Sequence, residues 1–91
     1  MALLNDYYDE NLDVTVENCY WRVTKIEGSK NLLNVYVSVY RDQEKARGNV
    51  MKINEFLYQF VPDVSEEAKN FYKQAYIYLK SLDYFKDAVN A

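Results

Sequence analysis

The sequence predicts an α+β domain: an antiparallel β-meander of three to four strands with a C-terminal helix packed on one face. Three observations predict it. Apolar and polar residues alternate with a period of two in successive runs between Leu12 and Tyr40, the pattern of half-buried strands. Gly28 lies in "EGSKN", between two such runs, where a hairpin connection needs a positive φ. Beyond Pro62 the apolar spacing changes to that of an amphipathic helix. Strands first and a helix last make two layers around one core, and 91 residues leave room for one domain.

Residues 1–11, "MALLNDYYDEN", are polar and acidic and read as a mobile arm ahead of a single domain, 12–91. Leu12, Val14 and Val16 alternate with Asp13, Thr15 and Glu17 as a short first strand. Asn18 breaks the register, so a bulge or turn is expected there, then a strand from Cys19 to Ile26. Residues 32–40 form the next strand, and the charged "RDQEKARGN", 41–49, reads as a loop. A strand over 50–61 switches its apolar parity from Met51 and Ile53 to Phe56, Tyr58 and Phe60. A bulge near Asn54–Glu55, or a strand end buried on both faces, accounts for the switch. After Pro62, Ser65 is the expected N-cap, with Glu66 and Glu67 in the first turn. "SLD" at 81–83 predicts a break before a short final helix, 84–89.

The expected core joins Trp21, Val23, Val35, Val37 and Val39 of the strands to Phe71, Ala75, Tyr78 and Leu82 of the helical stripe, which also carries Val64 and Ala68. One helix covers one face of a sheet. The opposite register, Tyr20, Arg22 and Thr24 beside Tyr36, Ser38 and Tyr40, is therefore expected to lie open. Tyr20, Arg22, Tyr36 and Tyr40 are the candidate partner-binding residues on this face. A solvated face strengthened by cross-strand Tyr–Thr and Tyr–Arg pairs is the alternative. An exposed sheet edge gives a second route to assembly, by strand addition.

Charge and composition narrow the function classes. The formal charge is −3, and residues 1–18 hold five acids and no base, while the remainder has 11 bases against 9 acids. An acidic arm on a nearly neutral body argues against nucleic acid as the partner and permits docking to a basic neighbour, a solvated acidic tail being the commoner meaning. Histidine is absent, which removes the usual general base, zinc ligand and pH switch. Ser29, Ser38, Ser65 and Ser81 thus have no histidine to activate them. The acidic pairs Asp63/Glu66 and Asp83/Asp87 read as caps and solvated charges, and the two glycines make no phosphate-cradling loop. No catalytic, cofactor-binding or metal-binding residue is assigned, and no cofactor is expected. Cys19 stands alone, so no intrachain disulfide forms, and it reads as a small core hydrophobe. Neither a signal peptide nor a membrane span is expected, which fits the reducing cytoplasm and particles assembled there.

Two segments, "NCYWRVTKIEGSKNLLNVYVSVY" and "YQFVPDVSEEAKNFYKQAYIYLKSLDYFKDAV", together resemble a family of small proteins of phages and prophages of Gram-positive bacteria, encoded near tail and baseplate genes. The resemblance covers residues 18–89. Besides Phe60 and Pro62, it is carried by Asn70, Phe71, Gln74, Ala75, Tyr76, Tyr78, Leu79 and Lys80. The family often has proline where Asp83 stands here. It has no established activity, so the resemblance implies a setting and no catalytic residues. That setting is a non-enzymatic virion or assembly protein, forming homo-oligomers and contacting other virion components, in the host cytoplasm during assembly and then in the virion. A small phage effector that binds and inhibits a host protein through the acidic arm is the alternative. Single-stranded nucleic-acid binding on the sheet, beside the loop "RDQEKAR", is a weaker one.

Overall fold

The computed structural model describes residues 2–48 and 52–91. Strands β1 (Leu3–Asp9), β2 (Val14–Ser29), β3 (Leu32–Tyr40), β4 (Asn54–Phe60) and the two-residue β5 (Val89–Asn90) form one sheet in the order β4-β3-β2-β1-β5. Every neighbouring pair is antiparallel. A short helix, α1 (Gln43–Arg47), lies between β3 and β4. Helix α2 (Phe71–Lys80) and a 3₁₀ turn, Asp83–Phe85, follow β4. The fold is the expected α+β meander with a C-terminal helix on one face, but with five strands among the described residues.

The additional strands come from the segments read as an arm and as a final helix. Leu3–Asp9 is β1, paired from Leu3↔Trp21 to Asp9↔Val14. It places Leu3 and Tyr7 in the core. Its acids serve as backbone acceptors. Asp9 Oδ1 accepts the N–H groups of Asn11 (3.0 Å) and Leu12 (3.3 Å), which shapes the turn into β2. Asp6 Oδ1 accepts the Asn18 N–H at 3.0 Å. Asn18, at φ 54°, makes the expected bulge inside one long strand. At the other end, the expected 84–89 helix is replaced by the 3₁₀ turn and β5, which pairs with β1 through Leu3↔Asn90 and Leu4↔Val89.

A second bulge lies at Thr24, where the β2–β3 register shifts between Val23↔Val37 and Lys25↔Tyr36. The extra residue inverts the parity of β2. Ile26 joins the Trp21 and Val23 side, and Lys25 takes the place expected for Thr24 opposite Tyr36. The β3–β4 ladder, in contrast, runs unbroken from Leu33↔Phe60 to Val39↔Asn54. The parity switch in β4 therefore does not lie within the ladder. It falls at the strand's start, where the Ile53 N–H donates to the Val39 carbonyl at 2.7 Å. Val50 and Met51 lie outside the described residues.

Helix α2 begins at Asn70, whose side chain caps the Lys73 N–H (2.8 Å), and not at Ser65. Gln74 explains the late start. It accepts the Asp63 N–H (2.8 Å) and donates to the carbonyls of Asp63 (2.9 Å) and Lys69 (2.6 Å), holding the irregular segment before the helix. As the first helical residue, Phe71 is 40% exposed, against its expected core position. Ala75, Tyr76 and Leu79 are the buried helix residues. Tyr78 and Leu82 are half-buried, with Tyr78 stacked on Phe60 at 5.1 Å. Trp21, Val23, Val35, Val37 and Val39 form the sheet side of the core as expected. Tyr76 crosses the layer so that the Val23 N–H donates to its hydroxyl at 2.8 Å, beside the Thr24 bulge.

Candidate functional site

The face opposite α2 is only partly open. Tyr20 (8% exposed) and Tyr40 (1%) pack with Ala2, Leu4 and the buried Ala46 of α1 into a second apolar cluster. The segment read as a loop supplies this cover. Asp42 caps α1 by accepting the Lys45 N–H at 2.9 Å, and the cap turns Ala46 onto the tyrosines. Arg22 lies with its guanidinium carbon 5.3 Å from the Tyr40 ring centroid, and its Nη2 donates to the Tyr40 hydroxyl at 3.4 Å. Of the four candidate residues, Tyr20 and Tyr40 are thus buried within the chain, Arg22 is half-buried against Tyr40, and Tyr36 alone faces the open end.

At that open end Tyr36 donates to Glu27 Oε1 (3.1 Å), and Lys25 pairs with Glu27 at 3.2 Å. The Lys25 ammonium lies 5.5 Å from the Tyr36 ring centroid. The Glu27 carboxyl is held below its usual range, by the Lys25 hydrogen bond first and the Tyr36 hydrogen bond second. The Tyr36 phenol is correspondingly raised, chiefly by its hydrogen bond to Glu27. Next to it, Leu57 of β4 projects from the same face, opposite Tyr36 and 53% exposed.

A different site opens on the α2 side of the sheet, past the end of the helix layer. It is a cleft of about 460 Å³. Its base is Trp21, which stacks on Phe56 (5.8 Å between centroids, 25° between planes) and meets Tyr7 and Tyr84 edge-on at 5.8 and 5.6 Å. The indole N–H donates to the Asn5 carbonyl at 3.0 Å, which fixes the ring. Tyr8 and Tyr58 complete the aromatic walls, and Asn54 contributes an amide that donates to the Tyr7 hydroxyl at 3.1 Å. The turn after β1 brings Asp9, Glu10 and Asn11 to the rim. The Tyr84 hydroxyl donates to the Asp6 carbonyl at 3.2 Å, so the 3₁₀ turn and β1 hold that wall jointly.

The charge of the cleft is one-sided. Tyr8 donates to Asp13 Oδ1. That bond raises the Tyr8 phenol above its ordinary value, with desolvation and the charges of Glu10 and Asp9 acting in the same direction. Burial raises the phenols of Tyr58 and Tyr84. Sequence reasoning missed the cleft because "YYDE" at 7–10 reads as arm composition. The usable signal was two adjacent aromatics leading into two carboxylates. Among the described residues, no three His, Cys, Asp or Glu side chains stand where they could hold a metal ion. Among the same residues, no helix is long and apolar enough to cross a membrane. Comparison of the chain with protein-family models, curated proteins and solved structures returned no match.

Proposed function

We propose that the chain is a non-enzymatic structural or assembly protein that works by pairing with other protein chains, its first partner being a second copy of itself. The observation that supports this is the outer edge of β4. Exposed edge strands are ordinarily guarded by lysine, proline, bulges or shortness. Strand β4, "NEFLYQF", has seven residues, an unbroken register and one charged side chain, Glu55, which is bonded to Lys52. Among the described residues no strand pairs with its outer side.

The edge is also self-complementary. A two-fold axis through Leu57 sets Leu57 opposite its own copy, Phe56 opposite Tyr58, and Glu55 opposite Gln59. Aromatic pairs then meet on one face and no like charges face each other. Tail or baseplate assembly in the host cytoplasm is the setting that the resemblance to small phage proteins suggests, with the assembled particle as its destination.

Light scattering at micromolar concentration is expected to give twice the 10.8 kDa chain mass. Leu57→Lys, which sets two ammonium groups against each other on an exposed face, is expected to give the single-chain mass with unchanged circular dichroism. A wild-type chain that stays at 10.8 kDa overturns the self-pairing. Mass spectrometry of purified particles tests the setting, and absence from them overturns it.

A further inference from the structure

We propose that the aromatic cleft is a binding site for an arginine side chain presented by a partner protein. The size is right for one guest group, since ligand pockets run from about 300 to 1,000 Å³ and this one is about 460 Å³. The walls are the rings of Tyr8, Tyr58 and Tyr84 over the buried Trp21 at the base, and the rim carries the carboxylates of Asp9 and Glu10. Among the described residues the lining includes no lysine or arginine, and neither rim carboxylate takes part in an ion pair. A guest that satisfies both parts needs a planar, weakly hydrated cation. Guanidinium is such a group: it stacks on aromatic faces and forms a forked pair of hydrogen bonds to a carboxylate. An ammonium group is a more strongly hydrated point charge and gives up more on entering an aromatic cleft. The guest comes as part of a chain because the proposed function is protein contact, and the inference rests on that reading for its source. It does not rest on β4 pairing.

Trp21 is the only tryptophan and lies buried at the base of the cleft, so its emission reports changes among the rings that a guest would meet. The test titrates the full chain with an end-blocked Gly-Arg-Gly peptide, and with the same peptide carrying lysine or the neutral isostere citrulline. A saturable change with arginine is expected, weaker binding with lysine and no change with citrulline. Asp9→Asn with Glu10→Gln keeps the side-chain oxygen that accepts the Asn11 and Leu12 N–H groups while removing both charges. That pair of changes is expected to weaken arginine binding about tenfold or more. Lys25→Gln, on the opposite face, is expected to leave it unchanged. Equal binding of citrulline, or arginine binding indifferent to the rim charges, overturns the proposal. So does the absence of any arginine response, whether or not the chain dimerises. An arginine response retained in Leu57→Lys shows the cleft to be independent of self-pairing.

Discussion

Gly28 has φ 133°, and a Cβ built on it would stand 2.3 Å from the Leu32 carbonyl oxygen. Both facts point to glycine at the hairpin between β2 and β3. Gly28→Ala is expected to destabilise the fold by about 1–3 kcal/mol, each kcal/mol lowering the melting temperature by about 4–8 °C in a domain of this size. Thermal unfolding checks it, and an unchanged midpoint shows that the turn relaxes. This position was legible in the sequence because its requirement is local. Thr24 was not. Its bulge depends on how β2 lies against β3, next to a backbone amide held by Tyr76 from 53 residues away, and its one trace in the alternation is the adjacent polar pair Thr24–Lys25 between Val23 and Ile26. The arrival of Lys25 opposite Tyr36, where Thr24 was expected, follows from that one residue.

Among the elements, α2 shows how two equally good caps are told apart. Ser65 and Asn70 are both favoured N-cap types, and the residues after Ser65 are acidic, as a first turn prefers. The choice is made by Gln74, whose amide holds both the N–H and the carbonyl of Asp63. Those bonds need the chain at 63–69 to be unwound. Asn70→Ala is expected to cost about 1 kcal/mol by orphaning the Lys73 N–H. Ser65→Ala, by contrast, is expected to fall within about 0.5 kcal/mol of wild type. Paired denaturant titrations of the two variants decide it, since a larger loss at Ser65 places the helix start there. Helix α1 escaped sequence reading for a different reason. Four polar or charged residues and one alanine have no helical stripe, and what makes them an element is the apolar contact of Ala46 with Tyr20 and Tyr40. The tyrosine register does face away from α2, but the expectation that it lies open fails at Tyr20 and Tyr40, which α1 covers.

At the scale of the whole molecule, burial of weak acids sets the alkaline limit. Desolvation is the first cause of the raised values at Cys19, Tyr58 and Tyr76, so each stays neutral in the folded chain to a higher pH than in the unfolded chain. For a group raised in this way, the stability is fully present below the unfolded value and is lost as pH rises through the folded one. The unfolded values are 9.0 for the thiol and 10.0 for the phenols. The melting temperature is therefore expected to hold steady up to about pH 9 and to fall above it, with Cys19→Ala moving the onset towards 10. Scanning calorimetry across that range checks it, and a fall beginning well below pH 9 contradicts it. The pairing of β5 with β1 bears on the order of events in folding. Ordering a chain between two contacts costs more entropy the longer the loop it closes. The β2–β3 ladder closes over two residues, Lys30 and Asn31, whereas Leu3↔Asn90 closes over almost the entire chain. The first strand in sequence is thereby the last to have both its sides engaged, and until then its outer edge is available to whatever else the cell brings near it.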